Sequence, residues 1–93
     1  MTTYFLIGKY SQESLKHISS QRTKKAYQII QKLGGRIKSI YALLGEKDLI
    51  IQTQFPSSKQ ALNASLGLTK MTGIGFSTSE AISIDEFDKL ART

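Results

Sequence analysis

The apolar positions near the start of the chain alternate in the manner of a strand. Between residues 3 and 10, successive side chains would point to opposite faces of a sheet. Both faces of this segment are apolar, with Phe5 and Ile7 on one side and Tyr4 and Leu6 on the other. The polar connector at residues 11–20 predicts a short helical turn that directs Leu15 and Ile18 toward the core.

The following segment, residues 19–35, has the period of an amphipathic helix. Its apolar residues recur every three or four positions: Ala26, Ile29, Ile30 and Leu33. A serine can cap the start, and Gly34 is the residue type that commonly ends a helix. Arg22 projects from the apolar side, four residues before Ala26, whereas the lysines of the segment fall on the opposite, solvated face.

Two strongly apolar runs follow, Arg36 to Leu44 and Lys47 to Phe55, with only Gly45 and Glu46 between them. A glycine supplies the positive φ that a tight hairpin turn demands, and charged neighbours keep the tip in water. The spacing therefore predicts a tight β-hairpin whose tip has no chemical role.

The last part of the chain predicts a helix, a strand and a short final helix. The helix runs from Lys59 to Thr72 and has an apolar arc wider than one sheet contact needs. Ile74 to Ile82 alternates as a fourth strand, one face of which is formed by Ile74, Phe76, Thr78 and Glu80. The segment from Ile84 to Leu90 has acids in its first turn, which suits the helix dipole.

The order of elements is β-α-β-β-α-β with a C-terminal helix. This is the split βαβ or ferredoxin-like arrangement of the α+β class, built on an antiparallel four-stranded sheet. Two helices cover only one face of such a sheet, and a sheet with one solvated face should alternate cleanly between apolar and polar residues. These strands are apolar on both sides. We therefore predict a homodimer in which a second copy covers the other face.

Length and composition restrict the function further. Residues 1–93 suffice for a single domain, and the absence of cysteine excludes disulfides and thiolate chemistry. No run resembles a signal peptide or a membrane span, so we expect a cytoplasmic protein without membrane contact. One histidine cannot form a multi-histidine metal site, and we predict no metal and no cofactor.

Charge is unevenly distributed along the chain. The net charge is +6, and residues 14–45 hold seven basic side chains and no acidic one. Within this tract, Lys24, Lys25 and Lys32 share one helix face, as contacts to phosphates would require. The tract favours, as an alternative function, a nucleic-acid or polyanion-binding module, although Tyr27 is the one aromatic residue interleaved with these lysines.

Several short motifs are spread over nearly the whole length of the chain. They are Gly8-Lys9-Tyr10, Leu33-Gly34-Gly35, Tyr41, Leu44-Gly45-Glu46, Asp48 and Glu86-Phe87. With this set the chain resembles the GYD-domain proteins, which belong to the dimeric α/β-barrel group. Gly45 and Asp48 match the Gly-x-Tyr-Asp hairpin of that family, whereas Lys47 stands at the tyrosine position and the stretch 73–76 departs from the pattern. The resemblance implies one such domain over residues 1–93 and a homodimer, and it implies no particular chemistry.

Four polar residues are candidates for a ligand site. Arg22 would hold an anion at the mouth of a cavity, and His17 in the preceding connector would exchange a proton. Tyr41 and Asp48 lie on adjacent predicted strands and would orient a ligand between sheet and helices. Each has a structural alternative: a solvated His17, an Arg22 whose stem covers the edge of the core, and an Asp48 that caps the turn or forms a salt bridge with a nearby lysine.

The sequence contains no Ser-His-Asp or Cys-His spacing and no phosphate-binding glycine loop. We therefore assign no catalytic residue and predict a homodimeric protein that binds a small ligand in a pocket between sheet and helices, with an anion as one candidate for that ligand. Two alternatives stay open. One is the nucleic-acid module, and the other, by fold analogy alone, is a cofactor-independent monooxygenase or isomerase of the dimeric-barrel type.

Overall fold

The computed structural model describes residues 1–92 and consists of one four-stranded sheet and four helices. In chain order the elements are β1 (Thr2–Lys9), α1 (Gln12–Leu15), α2 (Ser20–Lys32), β2 (Arg36–Ala42), β3 (Leu49–Phe55), α3 (Ser58–Thr72), β4 (Gly75–Ala81) and α4 (Ile84–Ala91). The strand order in the sheet is β2-β3-β1-β4, and every neighbouring pair is antiparallel. The predicted ferredoxin-like βαββαβ fold with a C-terminal helix is confirmed.

The core lies between the sheet and the two long helices, α2 and α3. Because strand residues alternate between faces, every second residue of β1 and β3 points toward these helices. The buried side chains that fill this layer are Tyr4, Leu6, Ile51 and Phe55 from the strands and Ala26, Ile30, Ala61, Ala64 and Leu68 from the helices. At the edge of this core, Gly35 allows the backbone to pass close to the ring of Phe55, because a Cβ atom at this position would lie 2.4 Å from Cε1 of Phe55.

The helices begin where the residue types predict. The side chain of Ser19 accepts the backbone N–H of Arg22 at 3.1 Å and caps α2. The side chain of Ser83 accepts the N–H of Glu86 at 3.1 Å and caps α4 in the same way. Gly73 ends α3 in the left-handed conformation, with a φ of 76°.

The hairpin between β2 and β3 is wider than the sequence predicts. The two strands are separated by a loop formed by residues 43–48, and the prediction of a tip made of Gly45 and Glu46 alone is wrong. The N–H of Leu43 still donates to the carbonyl of Asp48 at 2.9 Å, but the N–H of Asp48 donates to the carbonyl of Gly8 at 3.0 Å. The register of β2 with β3 ends at Ala42 and Leu49, and Asp48 bonds to β1 as well. Gly45 has the expected positive φ, 130°.

The connector before α2 also differs from its prediction. Leu15 and Ile18 are 55% and 58% exposed, so the expectation that they point into the core is wrong. The buried residue of α1 is Ser14. A capping box explains this outcome, since the Ser11 hydroxyl accepts the N–H of Ser14 at 3.0 Å and the Ser14 hydroxyl accepts the N–H of Ser11 at 2.7 Å. These bonds hold Ser14 inward and turn Leu15 toward solvent.

Within residues 1–92, neither long helix packs on the second face of the sheet, which we call the helix-free face. Its apolar side chains are Phe5 and Ile7 of β1, Tyr41 of β2 and Ile50 of β3. Ile50 is opposite Ile7 on one side and opposite Tyr41 on the other, so these three residues form one patch. Tyr41 is 62% exposed, whereas Ile7 and Ile50 are half-buried.

Candidate functional site

A cavity of about 80 Å³ opens between the sheet and the start of α2. Apolar side chains from both layers form most of its walls: Ile18, Ala26, Ile40, Leu49, Leu68, Ile74 and Phe76. The polar residues that line it are Tyr10, Ser19, Arg22, Thr23 and Thr72. We call this cavity the Arg22 pocket, because Arg22 is the charged residue in its wall.

The place of Arg22 follows from the point at which α2 begins. Because Ser19 caps the helix, Arg22 is the third residue of α2 and leaves it on the side that Ala26 also occupies. Its Nη1 donates to the carbonyl of Ser14 at 2.6 Å. Its Cζ lies 5.8 Å from the centroid of the Tyr10 ring, which is a cation–π geometry. The prediction that Arg22 projects from the apolar side of the helix is confirmed.

Asp48 supports this site without lining it. Its Oδ2 accepts the backbone N–H of Tyr10 at 2.9 Å, and its own N–H donates to the carbonyl of Gly8 at 3.0 Å. Nζ of Lys9 adds a bond to the carbonyl of Glu46 at 3.0 Å. These hydrogen bonds tie the hairpin loop to the end of β1. The carboxylate of Asp48 thereby holds the residue whose ring contacts the guanidinium.

His17 and Tyr41 lie away from the pocket. The side chain of His17 is 67% exposed, and its Nε2 is 3.1 Å from Oε1 of Glu13, one helical turn earlier. Tyr41 belongs to the helix-free face and therefore lies on the opposite side of the sheet from Arg22. Of the four candidate residues, the structure brings Arg22 to the pocket directly and Asp48 indirectly. The four side chains do not surround one chamber.

The pocket also contains polar residues that the sequence interpretation did not select: Tyr10, Ser19, Thr23 and Thr72. A signal existed for Tyr10, because it continues the alternation of Tyr4 and Leu6, whose side chains face the helices. Thr23 follows Arg22 directly and precedes Ala26 by one helical turn. For Thr72 the sequence offers no signal, since it reaches the pocket from the distant end of α3.

The two long helices present basic surfaces. The long helices α2 and α3 contain no acidic residue, and their basic residues are Arg22, Lys24, Lys25, Lys32, Lys59 and Lys70. Within residues 1–92, no cluster of histidine, cysteine, aspartate or glutamate side chains is arranged to hold a metal ion. No helix in this part of the chain is long and apolar enough to cross a membrane.

Comparison with known proteins agrees with the fold. The sequence matches the model of the GYD domain over residues 4–91, whereas no curated protein matches it. Among solved structures, the leucine response regulatory protein LrpA of Mycobacterium tuberculosis is similar, with a TM-score of 0.58 and 8% sequence identity. The similar region covers 88% of this chain and 51% of that one, so this chain spans about half the length of LrpA, and at this identity the likeness concerns the fold alone. Because the GYD match extends over nearly the whole sequence, the chain belongs to the GYD domain family.

Proposed function

We propose that the protein is a homodimeric module that binds a small organic anion, such as a short-chain carboxylate, in the Arg22 pocket. The observation that supports this function is a partly buried guanidinium in the wall of an otherwise largely apolar cavity. Apolar walls with a few oriented polar groups are the usual composition of a small-molecule site.

The hydrogen bonds of Arg22 support an anionic ligand. A guanidinium has several N–H donors, and within residues 1–92 the bond to the carbonyl of Ser14 is the one that its side chain forms. The ring of Tyr10 stabilises the cation from one side and leaves the other donors available. A carboxylate can accept two parallel N–H bonds from such a group, which a neutral amide of the same shape cannot.

The size of the pocket restricts the ligand. Its volume is about 80 Å³. A bound water needs roughly 10 to 15 Å³ of such a cavity, so the pocket accommodates an acid of roughly two to four carbon atoms. The hydroxyl of Ser19 adds a hydrogen-bond donor to the wall of the pocket, whereas the hydroxyls of Thr23 and Thr72 donate to the backbone carbonyls of Ser19 and Leu68. The guanidinium of Arg22 and the hydroxyl of Ser19 suit the binding of an oxyanion, so we propose binding rather than catalysis.

An NMR titration of the full chain with acetate, isobutyrate and 4-methylpentanoate tests this function. We expect saturable shifts of the backbone amides of Tyr10, Arg22 and Thr23 with the two shorter acids. Isobutyramide, which has the shape of isobutyrate and no charge, should produce none. Arg22→Gln should abolish the saturable shifts, whereas Lys24→Gln removes an exposed charge from the same helix and should leave them unchanged.

Three results would contradict the carboxylate site. One is equal binding of isobutyrate and isobutyramide, which would show that the charge of the ligand is not recognised. Another is a set of shifts that grow linearly with concentration and spread over the exposed lysines, since this pattern indicates non-specific ion association. Binding that survives Arg22→Gln would also assign the ligand to another site.

A second candidate function is a polyanion-binding surface on the two long helices. The absence of acids from α2 and α3 supports it, as do Lys24, Lys25 and Lys32, which are exposed on one helix. Phosphate contacts release counterions, so the affinity for a labelled DNA duplex should fall steeply between about 50 and about 200 mM salt. Lys24→Gln with Lys25→Gln should then abolish the fluorescence anisotropy change, while Arg22→Gln should preserve most of it. No binding at about 50 mM salt would remove this candidate.

A further inference from the structure

The C-terminal helix α4 exposes a complete apolar side. Ile84, Phe87 and Leu90 recur every three residues along the helix and are 70%, 56% and 64% exposed. No residue of α4 is buried. Because isolated helices shorter than about 12 residues are marginal in water, an eight-residue helix of this kind needs a surface on which to pack.

The first turn of helix α4 lies next to the helix-free face. This turn and the start of β1 enclose a groove of about 450 Å³, whose lining includes Phe5, Gln52, Ile82 and Glu86. Phe5 and Gln52 are opposite each other in the register of β1 and β3, and both side chains belong to the helix-free face. A second copy that covers this face therefore also meets α4.

The negative charges of α4 are matched by a positive charge, that of Arg36 on β2, at the opposite edge of the sheet. The acidic residues of the helix are Asp85, Glu86 and Asp88. Within residues 1–92 these carboxylates form no ion pair, and neither does Arg36, which lies exposed on the helix-free face of β2. The register joins Arg36 to Gln54, Gln54 to Thr3 and Thr3 to Ala81, so Arg36 and the start of α4 are at the same end of the sheet.

These two edges are separated by three strand spacings, about 14 Å, within one chain. In a dimer whose two-fold axis runs parallel to the strands and between the two facing sheets, these edges come together. The β4 edge of one copy then lies over the β2 edge of the other. Arg36 of one copy and Ala81 of the other stay at the same end of the paired sheets. The acidic helix of each copy then lies beside the basic edge of its partner.

We propose that α4 packs along β2 of the partner subunit in the homodimer. Its carboxylates then lie beside Arg36 of the partner subunit, and its apolar side covers Tyr41 of the partner subunit. The helix is about 12 Å long, which allows it to extend from Arg36 of the partner subunit toward Tyr41 of the partner subunit. This inference rests on the proposed homodimer and gives the exposed Tyr41 a place in the interface rather than in the ligand pocket.

Disulfide trapping tests the placement directly, because the chain has no cysteine of its own. The full chain with both Arg36→Cys and Asp88→Cys is oxidised and examined on a non-reducing gel. We expect a covalent dimer from the double variant and none from either single variant. A dimer in sedimentation that forms no disulfide between subunits, or a disulfide within one chain, overturns the placement of α4 and leaves the homodimer standing. A monomer overturns both.

Charge exchange is the second measurement. Arg36→Glu should weaken dimerisation about tenfold at low salt, and the addition of Asp88→Arg should restore it. Lys59→Glu makes the same charge change on α3, on the opposite side of the sheet, and should leave the dissociation constant of the dimer unchanged. Equal effects of Arg36→Glu and Lys59→Glu, or a failure of Asp88→Arg to restore dimerisation, would overturn the pairing.

Discussion

At the scale of single residues, two threonines on the same face of the sheet differ in what their hydroxyl groups bind. The hydroxyl of Thr53 is buried and donates to the carbonyl of Tyr4 at 2.7 Å. The hydroxyl of Thr78 is also buried, and within residues 1–92 it has no hydrogen-bond partner. A buried polar group without a partner destabilises a fold, because it has lost its water and gained nothing.

Thr78→Val should therefore raise the free energy of unfolding by about 1 kcal/mol, and Thr53→Val should lower it by about 1 kcal/mol. Both substitutions replace a hydroxyl group by a methyl group in the same sheet layer, so their comparison isolates the hydrogen bond. Urea unfolding followed by circular dichroism measures both changes at one protein concentration. A loss of stability in Thr78→Val would contradict the assignment of an unpartnered hydroxyl.

Tyr4 makes the stability depend on pH in the alkaline range. Burial, and after it the carboxylate of Glu80, raise the pKa of the Tyr4 phenol above its usual value of about 10. The folded state keeps this proton at a pH at which the unfolded chain releases it. The resulting stability is present in full below about pH 10 and is lost as the pH rises through the pKa of the folded state.

We expect Tyr4→Phe to flatten the fall in the free energy of unfolding above about pH 10, because the substitution removes the group whose pKa differs between the two states. Tyr27→Phe is the matched control, since Tyr27 is 41% exposed on α2. Denaturant unfolding at a series of alkaline pH values measures the slope. The same slope in Tyr4→Phe and in the unmodified protein would contradict this origin.

At the scale of elements, hydrogen bonds join the hairpin loop between β2 and β3 to the end of β1. Asp48→Ala removes the acceptor of the Tyr10 N–H and should lower the free energy of unfolding by about 1 to 2 kcal/mol. It should also weaken carboxylate binding in the Arg22 pocket, because the ring of Tyr10 is then less firmly held. Thermal unfolding and the NMR titration measure the two effects.

Glu46→Ala is the control for this prediction. Glu46 lies in the same loop and uses its backbone carbonyl, which the substitution keeps, to accept from Lys9. We expect no change in ligand binding and little change in stability. If the two alanine variants behave alike, the loss of a negative charge rather than the hydrogen bond to Tyr10 accounts for the result.

At the scale of the whole molecule, the helix-free face determines the assembly that we propose. Sedimentation at micromolar concentration should give twice the chain mass of 10.3 kDa. Ile7→Asp should give a monomer, because it places a charge in the patch formed with Tyr41 and Ile50. Leu62→Asp introduces the same charge at a residue of α3 that is 56% exposed, and it should remain a dimer. A clean 10.3 kDa species for the unmodified chain would contradict the homodimer.

The sequence by itself determined the elements, their order and the direction of most side chains. The period of 3.6 residues in a helix and of two in a strand is a local property, so a single stretch of chain is enough to assign it. For this reason a serine cap at the start of α2, the inward side of Arg22 and the alternation of Tyr4 with Phe5 could all be predicted. The spread of family motifs along the chain allowed the family to be predicted as well.

Only the tertiary structure decided which polar residues meet. The bond between Asp48 and the N–H of Tyr10 joins residues that are 38 positions apart, and it lies in the loop where the local pattern predicts only a short hairpin tip. The register between β2 and β3 puts Tyr41 on the face opposite Arg22, and His17 lies in solvent beside Glu13. Contacts of this kind depend on the register between strands and on where each ladder ends. Neither is encoded in the period of any one segment, because both are settled by the competition between distant hydrogen bonds as the sheet assembles.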